Sequence, residues 1–227
     1  MVLLPTILCY SVEGFLRPAE AAEICDEMDM HKAGLPQERV LAGGGNSIHT
    51  VKNLTVEQAV QVYEPKGRVE VLELPPRVLD ILGEAVSRNM PNICRAYPEV
   101  RTVGPWFYVE YEPGQFITPH ADQYKNKNAP EHPKIGGLSV QLNDGFTGGE
   151  FYVETCGSPD IWTEADGETR LIRRANDSSE EFRSIPRTRW TSTPAVGTAF
   201  MYGSQLVHGT EPVTSGRIRK VISWLVG

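Results

Sequence analysis

The chain has 227 residues, of which 40% are apolar, and this is enough for one domain with a sizeable core. Its 22 Lys and Arg against 29 Asp and Glu give a net charge of −7. That charge repels phosphate backbones, so general nucleic-acid binding is excluded. Since no apolar run approaches the roughly 18 residues of a membrane span, we expect no membrane partner.

The first nine residues are apolar, but they lack a basic start and a small-residue cleavage site, and Pro5 interrupts them. We therefore expect a first strand rather than a signal peptide, and a cytoplasmic location. The cysteines form no C-x-x-C pair, which predicts reduced thiols rather than disulfides or a zinc site. They are Cys9, Cys25, Cys94 and Cys156.

Two segments of the N-terminal part have the pattern of helices. Residues 17–30 have a proline near the start, acids in the early turns and apolar residues at helical spacing. Residues 74–87 repeat this signature, and their apolar residues form one stripe that needs a packing partner. A sheet is the simplest partner for the stripe of Val78, Ile81, Leu82 and Ala85.

From residue 104 onward, aromatic and β-branched residues dominate, which is typical of strands. The predicted strands are 105–111, 135–142, 149–153, 197–202 and 217–226. Turn formers lie between them, at Glu112-Pro-Gly114, Asn143-Asp-Gly145 and Thr214-Ser-Gly216. An antiparallel barrel or a double-sheet jelly roll closes such a set of strands most simply.

Two long stretches show no clear period and are interpreted as covers over a site or as surface insertions. Residues 32–53 contain a Gly43-Gly-Gly45 triplet, which is not a phosphate loop because no Gly-Lys-Ser/Thr follows it. Residues 154–193 mix acids with six arginines. The interspersed acids favour a solvated face over a clamp for an acidic substrate or a carrier's phosphopantetheine arm.

His120 is the histidine that stands two residues before an aspartate, Asp122. In an extended chain these positions project to the same face, so both side chains can point into a barrel. His208 ends an apolar strand, where an imidazole needs a partner. Two imidazoles and one carboxylate on one face of a metal leave three positions open, as in non-haem Fe(II) oxygenases. The remaining histidines have no acid at ligand spacing and are interpreted as surface or loop residues: His31, His49 and His132.

Blocks of the C-terminal half, taken in order, resemble the prolyl-4-hydroxylase-type branch of the Fe(II)- and 2-oxoglutarate-dependent dioxygenases. They are Tyr111-Glu-Pro-Gly-Gln-Phe-Ile-Thr-Pro-His-Ala-Asp122, Leu138-Ser-Val-Gln-Leu-Asn-Asp with Gly148-Gly-Glu-Phe151, and Val207-His-Gly-Thr-Glu-Pro-Val-Thr-Ser-Gly-Arg217 with Trp224. The resemblance implies one mainly β domain over 1–227 with a double-stranded β-helix core, a cupin-like jelly roll, over 104–227. Helices and loops of 1–103 would flank the core, and 154–193 would be a long insertion in it.

The same resemblance makes His120, Asp122 and His208 the ligands of Fe(II), with 2-oxoglutarate and O₂ as cosubstrates. It places Tyr111 in the cosubstrate pocket, and Gln141 at a strand position that faces the same cavity. The implied activity is oxidation, most simply hydroxylation, of an unactivated C–H bond, with 2-oxoglutarate converted to succinate and CO₂. Because the carboxylate ligand is present, hydroxylation, desaturation or ring formation is favoured over halogenation.

The basic residue that should pair with the distal carboxylate of 2-oxoglutarate is displaced. The family's usual spacing places it at Ile218. We expect a one-residue shift of the strand that brings Arg217 or Arg219 into the site. The same shift would turn Ile218, Ile222 and Trp224 outward against the helices. If the family register holds instead, Lys220 faces inward and is the alternative anchor.

The sequence leaves the substrate and the oligomeric state open. The first hypothesis is an oxygenase of a small molecule, amino-acid-derived or carrier-tethered, because no peptide-binding repeat accompanies the domain. The second is a peptidyl hydroxylase that acts on proline or another side chain. The third is a non-catalytic jelly-roll metal-binding module, which only the displaced arginine favours. A structural zinc site would need a fourth ligand, and no cysteine lies near either motif.

Overall fold

Three helices lie in the N-terminal part of the chain that the structure, a computed structural model, describes. The described residues are 7–40, 54–122, 132–156, 167–172 and 187–227. The helices are α1 (Pro18–Ala33), α2 (Val56–Tyr63) and α3 (Pro76–Ala96). The two predicted helices correspond to α1 and α3, and α3 continues past its predicted end. None of the helices within these ranges is long and apolar enough to cross a membrane.

Helix α2 was not predicted, although its start carries a recognisable signal. Thr55 accepts a hydrogen bond from the backbone N–H of Gln58, and the Gln58 side chain accepts one from the backbone N–H of Thr55. This reciprocal pair is a capping box, which marks the start of a helix in sequence as well as in structure.

The strands account for most of the remaining described residues. They are β1 (Cys9–Val12), β2 (Val69–Val71), β3 (Thr102–Val103), β4 (Phe107–Tyr111), β5 (Ile117–His120), β6 (Lys134–Gln141), β7 (Thr147–Gly148), β8 (Phe151–Cys156), β9 (Gly167–Ile172), β10 (Arg187–Ser192), β11 (Ala199–Gly203), β12 (Val207–Thr210), β13 (Val213–Ser215) and β14 (Ile218–Val226). The predicted strands correspond to β4, β6, β8, β11 and β14. The predicted turns hold Gly114, Gly145 and Gly216 at positive φ, which explains why each turn contains a glycine.

The strands form two main antiparallel sheets. The first has the order β1-β11-β6-β14-β4-β2, with β3 beside β14, and the second has the order β5-β12-β8-β10-β9. Strands β7 and β13 make a separate short pair. The prediction of a mainly β protein with N-terminal helices is therefore confirmed.

Helices α1 and α3 pack on one face of the first sheet and form the largest core with it. The predicted stripe of α3 is buried in this core, as are Val221 and Leu225 of β14. Successive side chains of a strand point to opposite faces. Burial of Val221 and Leu225 against the helices therefore directs Lys220, Ile222 and Trp224 to the opposite face of the sheet.

The stretch 154–193 is more regular than predicted. It contains β9 and β10, which pair with each other and extend the second sheet from β8. Arg189 of β10 forms ion pairs with Glu154 of the same sheet at 2.5 Å and with Glu211, which follows β12, at 2.9 Å. Residues 157–166 and 173–186 lie outside the described residues, as do 1–6 and 41–53, which include the glycine triplet and His49. Cys9, Cys25 and Cys94 are free thiols, as predicted.

Candidate functional site

The three predicted metal ligands lie together at the pairing of β5 and β12. His120 ends β5 and stands opposite His208 of β12, with the two ring centroids 4.4 Å apart. Asp122 follows two residues after His120. The ligand atoms of the three side chains all lie within 4.8 Å of one another, so a single ion can contact all three.

Backbone carbonyl groups orient both imidazoles in the same way. The Nδ1 atom of His120 lies 2.8 Å from the carbonyl oxygen of Thr118, and that of His208 lies 2.9 Å from the carbonyl oxygen of Leu206. A carbonyl oxygen only accepts hydrogen bonds, so each Nδ1 carries a hydrogen, and in the neutral imidazole Nε2 then keeps its lone pair for a metal. Burial also lowers the pKa of His208 to about 4, which keeps this ligand neutral at pH 7.

Aromatic side chains surround the two histidines. The ring of Tyr202 lies 4.2 Å from that of His208, and Tyr63 at the end of α2 meets His120 edge-on at 5.5 Å. Gly137 makes room for Tyr202, because a Cβ atom at this position would lie 2.3 Å from the tyrosine ring. The position of His208 is therefore fixed by packing as well as by its hydrogen bond.

The three ligands open into a cavity between the two sheets. The wall opposite the ligands comes from β4 and β14, and further side chains come from β6 and from the segment before β2. Besides the ligands, the polar and aromatic side chains in the lining include Tyr63, Arg68, Phe107, Tyr111, Lys134, Tyr202, Lys220 and Trp224. Tyr111 thus lines the same cavity as the candidate ligands.

Strand β14 does not have the expected register shift. Ile218 pairs with Tyr111 and Lys220 with Val109 along β4. Lys220, Ile222 and Trp224 line the cavity, and Ile218 is fully buried in the adjoining apolar cluster. The basic residue of β14 that enters the cavity is therefore Lys220.

The structure contradicts the placement of Arg217 and Arg219 in the site. The Arg217 side chain is 45% exposed and pairs with Glu112 at 3.3 Å. Arg219 pairs with Asp29 of α1 at 3.0 Å, on the helix side of the sheet. Neither arginine lines the cavity, because the packing of Val221 against the helices fixes the parity of the strand.

Gln141 also departs from its expected position. It is buried at the end of β6, and its amide donates a hydrogen bond to the carbonyl oxygen of Asn143 at 2.9 Å. The amide is thus bonded back to the turn that follows the strand. Ser139, two residues earlier, lines the cavity in its place.

Lys220 and Arg68 form a buried basic pair at one end of the cavity. Lys220 is only 5% exposed, and burial together with the nearby Arg68 lowers its pKa to about 8. Arg68 is fully buried and forms ion pairs with Glu64 at 2.9 Å and with Glu70 at 2.5 Å. Its guanidinium also donates a hydrogen bond to the hydroxyl of Tyr111.

Sequence reasoning missed Arg68, Tyr63 and Lys134. No motif marks any of them, and Tyr63 and Arg68 are far along the chain from the histidines and the aspartate that they accompany in space. The capping box of Thr55 and Gln58 is a signal that could have pointed to this region. It marks the start of a helix, and that helix ends at Tyr63, a few residues before Arg68.

No family model and no curated protein matches the sequence. Solved structures do match its fold. A prolyl-4-hydroxylase from Pseudomonas putida has a TM-score of 0.58 and 14% identity, with 98% of this chain and 94% of that chain covered. A prolyl hydroxylase from Trichoplax adhaerens, in complex with a hypoxia inducible factor peptide fragment, has a TM-score of 0.58 and 13% identity, with 98% and 86% covered.

The viral collagen prolyl hydroxylase of Paramecium Bursaria Chlorella virus-1, in its 2-oxoglutarate complex, is also similar. Its TM-score is 0.53 at 14% identity, with 100% of this chain and 99% of that chain covered. At these identities the likeness is one of fold. The chain therefore has the fold of the Fe(II)- and 2-oxoglutarate-dependent oxygenases of the prolyl-hydroxylase type, and it carries a candidate His-Asp-His metal site within that fold.

Proposed function

We propose that this protein is a non-haem Fe(II)- and 2-oxoglutarate-dependent oxygenase that hydroxylates an unactivated C–H bond of a small-molecule or amino-acid-derived substrate. One observation carries the proposal: His120, Asp122 and His208 share a single cavity with the buried cation of Lys220. The proposal includes a single domain over 1–227 with a double-stranded β-helix core over 104–227.

The donor set fits Fe(II). Two neutral imidazoles and one carboxylate on one face leave adjacent positions open for a cosubstrate and O₂. When bound, Fe(II) with 2-oxoglutarate and O₂ supplies the oxidising chemistry, in which decarboxylation to succinate and CO₂ drives oxidation of a C–H bond. The residues of the chain hold the metal, orient the bound molecules and exclude water from them.

Lys220 is the proposed partner of the distal carboxylate of 2-oxoglutarate. A buried ammonium group needs a counter-charge, and a carboxylate in the same cavity provides it. Tyr111 is the proposed second contact. Its hydroxyl accepts from Arg68, so its own hydrogen is free to be donated to a carboxylate. Arg68 is then a positioning residue that fixes Tyr111.

A peptidyl hydroxylase is the second candidate function. Several of the similar structures are prolyl hydroxylases, and one is bound to a peptide fragment. The non-catalytic module is the third candidate, which only the displaced arginine favoured, and the presence of Lys220 in the cavity supports the oxygenase instead.

The test is an anaerobic titration of the protein with Fe(II) and then 2-oxoglutarate, followed by visible absorption. We expect the charge-transfer band of the chelate in the wild type and in His132→Ala, an exposed histidine outside the cavity. His208→Ala should give no band. Binding of Fe(II) by the wild type without a band on addition of 2-oxoglutarate would overturn the proposal in favour of a metal-binding module.

A further inference from the structure

A second lysine lines the cavity, and the proposed chemistry does not use it. Lys134 begins β6, and its Nζ atom lies 3.6 Å from the centre of the Trp224 ring. The side chain is partly buried, and its ammonium group has neither an ion pair nor a hydrogen bond with any residue that the structure describes. A cation–π contact covers one side of an ammonium group and leaves N–H donors for another partner.

The other charged side chains of the cavity have partners once the metal and 2-oxoglutarate are bound. Arg68 is paired with Glu64 and Glu70. Asp122 would bind the metal, and Lys220 would bind the cosubstrate. The charge of Asp122 acts on Lys134, but this carboxylate would be bound to the metal. Within the described residues, Lys134 is therefore a cavity cation that can take a counter-charge from a further molecule.

The position of Lys134 separates it from the cosubstrate. Lys220 lies deep in the cavity, whereas Lys134 and Trp224 are partly exposed. Lys220 and Trp224 are four residues apart on β14, which corresponds to about 13 Å along the strand. Lys134 therefore belongs to a more exposed part of the cavity lining than Lys220.

Apolar side chains surround the same position. The rings of Phe107 and Trp224 are in contact, with centroids 5.2 Å apart, and Ile222 lines the cavity next to them. This wall suits an apolar group, and the ammonium group beside it suits an anion.

We propose that Lys134 binds a carboxylate of the oxidised substrate, whose apolar part packs on Phe107, Ile222 and Trp224. The substrate class is thus a carboxylic acid with an apolar body, either a free amino-acid-like molecule or the C-terminal carboxylate of a peptide. This inference rests on the proposed function and narrows its substrate.

The test uses the anaerobic complex of the protein with Fe(II) and 2-oxoglutarate, whose band shifts when a substrate enters. The probes are leucine, phenylalanine and proline, each as the free acid and as the carboxamide, and the glycyl dipeptides that end in these residues, again as acid and amide. The variants are Lys134→Met and Lys134→Arg, with Lys66→Met as a control at an exposed lysine outside the cavity.

In the wild type and in Lys66→Met, at least one acid should shift the band at a concentration about tenfold or more below that of its amide. Lys134→Met should reduce this preference to about twofold or less, and Lys134→Arg should retain part of it. Preference for single residues over dipeptides identifies a free small molecule, and the reverse identifies a peptide end.

Three results would overturn the inference: equal shifts with acids and amides, no shift with any acid, or an unchanged preference in Lys134→Met. Each leaves the proposed function intact as long as the band itself forms with Fe(II) and 2-oxoglutarate. Absence of that band from the wild type would instead overturn the proposed function.

Discussion

The guanidinium of Arg68 donates a hydrogen bond to the hydroxyl of Tyr111, and this contact joins the segment before β2 to the wall of the cavity. Arg68 also lies between the buried carboxylates of Glu64 and Glu70. Removal of a cation from such a cluster leaves buried charge uncompensated. The N-terminal part of the chain therefore completes the cavity and does more than cover the sheet.

Arg68→Met should lower the free energy of unfolding by about 3–5 kcal/mol, because buried carboxylates lose their cation. Urea denaturation measures this change. The triple variant Glu64→Gln, Arg68→Met, Glu70→Gln should recover part of the loss. Wild-type stability of Arg68→Met would contradict the role assigned to this residue.

Affinity for 2-oxoglutarate should fall above about pH 8. The pKa of Lys220 is lowered to about 8 in the folded protein, so the ammonium form that binds a carboxylate is lost as the pH rises through this value. The dissociation constant should then rise by up to about tenfold per pH unit. Titrations of the charge-transfer band between pH 7 and 9 measure it.

Lys220→Arg is the matched variant for this pH dependence, because a guanidinium keeps its charge throughout the range. The affinity of this variant for 2-oxoglutarate should not change with pH. In Arg68→Met, removal of a neighbouring positive charge should raise the pKa of Lys220 and move the loss of affinity to higher pH. A wild-type curve without any fall above pH 8 would exclude Lys220 as the carboxylate partner.

The stability of the free protein should also respond to Lys220. Its pKa is about 8 in the folded protein, whereas a lysine in the unfolded chain has its ordinary pKa of about 10.5, so the unfolded chain binds more protons between these values. This lysine therefore makes the free energy of unfolding rise as the pH increases from 8 to 10.5, and the contribution is lost again as the pH falls back to 8. Lys220→Met should remove that contribution, which chemical denaturation at several pH values measures.

Arg217→Met and Arg219→Met should bind 2-oxoglutarate like the wild type. Both arginines form their ion pairs outside the cavity, Arg217 with Glu112, Arg219 with Asp29, and both with the buried carboxylate of Glu110. Lys220→Met should weaken binding by at least about tenfold, because it removes a buried charged partner. Isothermal titration calorimetry measures the affinity of the three variants for 2-oxoglutarate. A strong loss of affinity in either arginine variant would support the shifted strand register that the sequence predicted.

Gly137→Ala should destabilise the protein by about 1–3 kcal/mol and weaken Fe(II) binding. The added Cβ would lie 2.3 Å from the ring of Tyr202, so this ring must shift, and it packs against the rings of Phe151 and His208. Gly83→Ala in α3 is the control, because its Cβ meets nothing within 4 Å and alanine favours a helix. Thermal unfolding and anaerobic Fe(II) titration test both variants. If the two variants have the same stability and the same Fe(II) affinity, Tyr202 does not fix His208.

The sequence by itself determined several of the local elements and the candidate metal ligands. Enrichment in aromatic and β-branched residues, with glycine-containing turns, predicted five of the fourteen described strands, because strand propensity and φ sign are largely local properties. The spacing of His120 and Asp122 and the cost of burying His208 predicted the ligand set, which the fold brings together at β5 and β12. The stripe of α3 likewise predicted the face that packs on the sheet.

Only the tertiary structure decided which other side chains line the cavity. Along β14, Val221 and Leu225 are as apolar as Ile222 and Trp224, so the pattern did not reveal which face meets the helices. Packing against α1 and α3 made that choice and brought Lys220 into the cavity in place of Arg217 or Arg219. Arg68 reaches Tyr111, and Lys134 reaches Trp224, through contacts between segments far apart in the chain, which no local pattern of residues encodes.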